Sequence, residues 1–326
     1  MLARRRLIAL GGAAIAAPAL IRIACADTFP SRVVRLVVPF PPGGAVDAAA
    51  RIIANRLSEI WGRQMMVENR GGAGGNIAAQ AVLNAEADGY TVFIASIGHA
   101  INQFIYPSLP YNPVTDFSPV TLMCVYPNIM AVPNSSPDRS VADFIARAKA
   151  DPGKVTYASS GVGTSLHLCG ELFKRLADVN LTHIPYRGAG PALSDLIPGR
   201  VDAIFANFPS TLPLVQDGRV RGVAVTTAQR QPEVPNLPAI AETVPGYDVS
   251  SWFALFVSAK TPPDLVARLN ADAVAALRTP AVTERYAQLG ARVVASTPAE
   301  LAAHLKAEMD RWGPVIKAAG ITLDKS

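Results

Sequence analysis

Cysteine is scarce in this chain, and so is charge. Only three cysteines occur in 326 residues, one of them at position 25. The other two, Cys124 and Cys169, cannot supply the dense disulfide framework of a small secreted scaffold, and two buried free thiols are expected in preference to a pair. Charged residues make up 17% of the chain. No Lys/Arg-rich cluster stands beyond the first 26 residues, which excludes a nucleic-acid footprint. Beyond Asp27 no apolar run is long enough to cross a bilayer, and Trp252–Val257 has only the length of a core strand.

Catalytic patterns are missing as well. The four histidines, His99, His167, His183 and His304, show no HExxH or similar ligand spacing, so no metal site is expected. The run Gly71-Gly72-Ala73-Gly74-Gly75 misses the dinucleotide fingerprint, because Ile77 stands where its last glycine belongs. It also lacks the Gly-Lys-Ser/Thr ending of a phosphate loop, and serves at most to turn the chain beside a cleft. Gly161-x-Gly163-x-Ser165 is not the order of a nucleophile elbow. Ser165 and His167 lie two apart, which points them in different directions on a helix. A serine hydrolase built on that pair is therefore a remote alternative, and no cofactor and no enzymatic activity are expected.

The first 26 residues have the layout of a secretory leader. Arg4, Arg5 and Arg6 precede an apolar run from Leu7 to Ile21, and Ala24-Cys25-Ala26 offers a small-residue cleavage site. The arginine pair before Leu7 is compatible with Sec or twin-arginine export. Arg22 stands where a lipidation site at Cys25 would want an apolar residue. The leader holds four of the 30 Lys+Arg and none of the 25 Asp+Glu, so its removal lowers the net charge from +5 to about +1. A periplasmic protein of about 300 residues is left, enough for two domains.

Strand-like and helix-like segments alternate along it. Val33–Val38, Met65–Val67 and Thr91–Ala95 read as strands, with a helix carrying Ile53, Leu57, Ile60 and Trp61 between the first two. A proline-rich stretch from Pro107 to Pro119 interrupts the rhythm, which then restarts. Ser140 with Asp143 opens a helix, Val155–Ala158 reads as a strand, and a helix with Leu168, Leu172 and Leu176 follows. Leu181–Pro185, Val201–Phe205 and Gly222–Thr226 are further strands. Two helices close the chain, opened by Thr261-Pro262-Pro263-Asp264 and Thr297-Pro298-Ala299-Glu300. This order implies two lobes of parallel sheet covered by helices. The first lobe takes residues 27–124 and the second 125–247. Residues 248–326 return to complete the first, with crossings near Val125–Val132 and Asp248–Val257.

Three loops between strand and helix could hold a ligand. Phe40-Pro41-Pro42-Gly43-Gly44-Ala45-Val46-Asp47 lets backbone approach an anion at a helix start, with Asp47 capping the helix or holding a water. Ser159-Ser160-Gly161-Val162-Gly163-Thr164-Ser165 offers hydroxyls and amides suited to a carboxylate. In His183–Pro191, Tyr186 would close over an apolar ligand body and Gly188 would offer its amide, while Arg187 is expected to face solvent. For the first two loops, ordinary turns and caps explain the same residues equally well.

Those segments resemble the Bug/TctC family, the extracytoplasmic solute receptors of tripartite tricarboxylate transporters. The likeness runs through Val38–Gly44 with Asp47 and Arg51, Val67–Arg70 with Gly72–Gly75, Asp88–Thr91 and Ser160–Leu168 with Gly170–Phe173. It continues through His183–Pro191, Asp195-Leu196, Val201-Asp202, Val223–Thr226 and Pro245–Tyr247. Gly71, Ala78 and Ala239 depart from the usual pattern. The resemblance implies a two-lobed periplasmic-binding-protein fold of the second type, closing on a mono-, di- or aromatic carboxylate or an amino acid. It implies that Phe40, Pro41, Gly43, Gly44 and Asp47, with Ser160, Gly161, Gly163, Thr164 and Ser165, grip one carboxylate. Tyr186, Gly188, Asp202 and Asn207 would shape the rest, and Ser96 and His167 complete the expected set. The implied partner is a membrane transporter, the implied state a monomer. A sensor that docks on a signalling receptor is the rival reading.

Overall fold

The computed structural model describes residues 29–322; the leader and its cleavage site lie outside them. The chain opens with β1 (Val34–Val38), α1 (Ala45–Trp61), β2 (Met65–Asn69), α2 (Asn76–Leu83), β3 (Thr91–Ala95) and α3 (Ile97–Ile105). A long strand, β4 (Phe117–Val132), leads to α4 (Val141–Ala150), β5 (Thr156–Ser159), α5 (Ser165–Ala177), β6 (Thr182–Pro185), α6 (Ala189–Leu196), β7 (Ala203–Asn207), α7 (Phe208–Gln216) and β8 (Arg221–Val225). The return consists of β9 (Ser250–Ser258), α8 (Pro263–Leu277), α9 (Pro280–Gln288), β10 (Arg292–Val293) and α10 (Pro298–Ala318).

In the first lobe β1 lies parallel to both β2 and β3, the pairing that α-helical crossovers produce. In the second, β5 lies parallel to β6 and β7. The two halves share β4. Residues Phe117 to Pro127 pair antiparallel with β9, and Asn128 to Ala131 then pair with β7. Two adjacent antiparallel strands thus carry the chain across between the lobes. Pro119, where the sequence pattern breaks, removes a ladder donor; the structure absorbs it with register shifts beside Pro119 and again after Leu122.

The C-terminal helices close the first lobe. Leu269, Ala273 and Leu277 of α8 and Tyr286 of α9 share a core with Leu36, Ile53 and Leu57. Tyr286 Oη donates to Ala49 O at 2.9 Å and Trp61 Nε1 to Asp272 Oδ2 at 2.7 Å. The stripe Leu301, Leu305, Met309, Trp312 and Ile316 of α10 is buried. Its first turn is a capping box: Thr297 Oγ1 accepts from Glu300 N, and Glu300 Oε2 accepts from Thr297 N. Ser140 Oγ likewise accepts from Asp143 N at the start of α4. Cys124 and Cys169 are both free and buried. Among the described residues no helix is long and apolar enough to cross a membrane.

Candidate functional site

Parallel strands feeding helices place helix N-termini along one edge of each sheet, and the two edges face each other. Five helices, α1, α3, α5, α6 and α7, begin at a cavity of about 280 Å³ between the lobes. Their N-cap residues are Gly44, Ser96, Thr164, Gly188 and Asn207. Only Thr164 caps its own helix with its side chain, accepting from His167 N. At the other four, no side chain takes the first-turn amides. Each such terminus carries roughly half a positive charge. None of the residues lining the cavity is Asp or Glu, and Arg187 is its single charged side chain. Such a cavity attracts an anion without a buried ion pair.

The first loop is stiffened from behind. Gly43 has φ +88°, a conformation that suits glycine, and its N–H donates to Asp47 Oδ2 at 3.1 Å. Arg51 donates to both oxygens of Asp47, and Asn69 Nδ2 bridges Asp47 Oδ1 and Phe40 O, each at 3.0 Å. Burial opposes the charge on Asp47, but the bonds from Arg51, Gly43 and Asn69 outweigh it and hold the carboxyl below its ordinary value. Asp47 is buried and does not line the cavity. It shapes the loop whose Phe40, Pro41, Gly43 and Gly44 do.

On the facing lobe Ser160, Thr164, Ser165 and Gly188 line the cavity. Gly161 and Gly163 set the turn instead, at φ +130° and +79°. His167 lies beneath that turn: Gly163 N donates to its Nδ1 at 3.2 Å. Ser165 Oγ accepts from Asn207 Nδ2 at 3.3 Å. Tyr186 donates to Asp195 Oδ2 at 2.8 Å and borders a neighbouring cavity rather than the first. Burial and Asp195 push its phenol above the ordinary value. Arg187 is exposed, as expected, yet borders both cavities. The Gly71–Gly75 run lines the neighbouring one.

Asp202 requires a correction. It precedes β7, at the end of the strand opposite Asn207, and is tied to Arg147 Nη1 and to the amide and hydroxyl of Thr156, each at 2.8 Å. It braces the far side of the second lobe. Asn207 does face the cleft, at the centre of a polar group that sequence reasoning missed. Its Nδ2 reaches Asn128 Oδ1 at 2.6 Å and Ser251 Oγ at 3.0 Å, and Ser251 Oγ donates to Asn128 Oδ1 at 2.9 Å. Asn128 and Ser251 belong to β4 and β9, so this group sits where the strands cross between lobes. Tyr126, Trp252 and Phe253 from the same strands add an apolar wall. The available signal was weak: Asn128 is the one amide side chain in β4, and Ser251 is one of three serines in β9.

A family model described as the tripartite tricarboxylate transporter family receptor, TctC, matches residues 49–321. The chain belongs to the Bug/TctC family. BugT of Bordetella pertussis is 35% identical to this TctC-family chain over 321 residues, covering 98% of each protein. The solved structure of R. palustris Rpa4515 with adipate is 43% identical, covers 90% of this chain and 100% of its own, and superposes with a TM-score of 0.88. MatC from Rhodopseudomonas palustris, solved with bound malate, is 33% identical, covers 88% and 100%, and gives 0.84. As a Bug/TctC protein the chain has the two-lobed periplasmic-binding-protein fold.

Proposed function

We propose that this protein captures a small organic carboxylate between its lobes by closing on it, and delivers it to the membrane component of a tripartite tricarboxylate-type transporter. The single observation that carries the reading is the convergence of five helix N-termini, four without a side-chain cap, on a cavity bordered by no acidic side chain. One carboxylate of the ligand takes amides and hydroxyls from both lobes, which makes the closed arrangement depend on the ligand. The apolar wall of Tyr126 and Phe253 receives its carbon body. Relatives solved with adipate and malate support a dicarboxylate among the candidate ligands. The leader would place the protein in the periplasm, where it works as a monomer.

A thermal-shift screen of the chain lacking residues 1–26 against a carboxylate library tests this. A ligand present at 100 times its dissociation constant stabilises the fold by roughly 2.7 kcal/mol. A library without a single stabilising carboxylate would refute the reading.

A further inference from the structure

His167 and His183 have no direct place in the cavity, yet both meet the turn that lines it. Their rings are stacked, with centroids 4.2 Å apart and planes inclined by 24°. Gly163 N donates to His167 Nδ1 at 3.2 Å. Gly161 N donates to Ser159 Oγ at 3.1 Å, and that oxygen lies 2.6 Å from His183 Nε2. The amides of both turn glycines are thus held, one by a ring nitrogen and one through a fully buried serine. His167 Nε2 looks toward Glu171 Oε1 at 3.9 Å, a carboxylate already fixed by Tyr157 Oη at 2.6 Å and by Lys174. An acceptor at Nδ1 requires the proton on Nε2, the nitrogen nearer Glu171. Burial, helped by the charge of Lys174, pushes the His167 imidazole down to about 4, so the ring is neutral at neutral pH.

We propose that His167, stacked on His183, is a positioning residue for ligand capture: its unprotonated Nδ1 fixes the Ser160–Ser165 turn so that Ser160, Thr164 and Ser165 face the cavity together. The inference rests on the reading that this turn grips the ligand. A merely space-filling histidine would tolerate either tautomer and any apolar replacement of similar size. A positioning histidine requires one tautomer and is replaced only by a side chain with an acceptor at the same place. Asparagine offers that acceptor, because its Oδ1 falls near the position of Nδ1 and does not titrate.

The experiment compares the wild-type chain with His167→Asn and His167→Leu. Nitrogen-15 labelling of histidine in the ligand-free wild type reads the tautomer, and Gly161 and Gly163 amide exchange is followed in all three proteins. Calorimetric titration with adipate as the probe follows. The expected result is His167 with its proton on Nε2, and a Gly163 amide protected in wild type and His167→Asn but not in His167→Leu. Adipate affinity should fall about tenfold in His167→Leu, the size expected for orphaning one loop amide, and stay within about threefold in His167→Asn. A proton on Nδ1, or a Gly163 amide equally protected in His167→Leu, overturns the proposal. If adipate binds none of the three, the tautomer and exchange measurements still decide this inference, and adipate alone is removed from the candidate ligands. If His167→Leu does not fold, the wild-type tautomer and the protection of Gly163 in His167→Asn decide it.

Discussion

Asn207 Nδ2 lies 3.0 Å from Ser251 Oγ, which ties the N-cap of a second-lobe helix directly to a strand that crosses between the lobes. A ligand that touches the start of α7 therefore also presses on the crossing strands. Ser251 and Asn128 are buried there among apolar neighbours, so the bonds among the three amide and hydroxyl groups satisfy one another.

The bare helix termini give a prediction with opposite signs on folding and on binding. Gly44 is the N-cap of α1 at φ −88°, and a Cβ there would meet nothing within 4 Å. In Gly44→Asp the new carboxylate caps the helix and raises folding stability by about 0.5 kcal/mol. The same carboxylate occupies the amides offered to the ligand, so carboxylate affinity falls at least about tenfold. Urea unfolding and calorimetric titration on one preparation read both effects. A variant that binds as well as wild type would mean that the α1 terminus does not hold the ligand.

Gly170 tests the packing under the second-lobe turn. It lies inside α5, where alanine ordinarily gains up to about 1 kcal/mol over glycine. Here a Cβ would stand 2.2 Å from a ring carbon of Tyr157. The ring would have to move, together with its bond to Glu171. Gly170→Ala is therefore expected to destabilise by about 1–3 kcal/mol in urea unfolding, the cost of overpacking. A stabilised variant would show that Tyr157 has room to shift.

Stability should fall in mild acid. Burial pushes His99 and His167 down to about 4 and His183 to about 3. In the unfolded chain these imidazoles take protons near 6.5, while in the folded protein they stay neutral to about pH 4. The unfolded state binds more protons in that window, so stability is full above about pH 6.5 and declines as pH drops toward 4. The limiting slope is about 1.4 kcal/mol per pH unit for each histidine. Asp47 and Asp202, both held below their ordinary values, extend the loss to lower pH with the same sign. Urea midpoints at pH 7, 6 and 5 check this; equal midpoints would contradict it.

The α/β alternation was legible because each buried parallel strand is a short apolar run. Thr91–Ala95 stands in the structure with the bounds read from the sequence. The caps at Ser140 and Thr297 were legible because they depend on neighbours three residues away. β4 was not, since Pro119 and Pro127 mimic loop punctuation and are tolerated only through pairing with a strand more than a hundred residues later. α3 escaped because Ile97-Gly98-His99 carries no helix-start signal of its own. Within the site, the glycine, proline and serine loops announced themselves by composition. Tyr126 and Ser251 did not, because only the meeting of β4 and β9 turns them toward one cavity, with Asn128 buried behind them. A motif match points Asp202 to the cleft because a motif does not say which end of the strand a residue occupies.

The central claim is that main-chain amides at facing helix starts recognise negative charge. Calorimetric titration of the chain lacking residues 1–26 with matched pairs, each carboxylate beside its primary amide (adipate beside adipamide, malate beside malamide), tests it most directly. At least one carboxylate should bind with a dissociation constant of about 1 μM or tighter, roughly −8 kcal/mol, and its amide at least about a hundredfold more weakly. An amide that binds as tightly as its carboxylate would contradict the account.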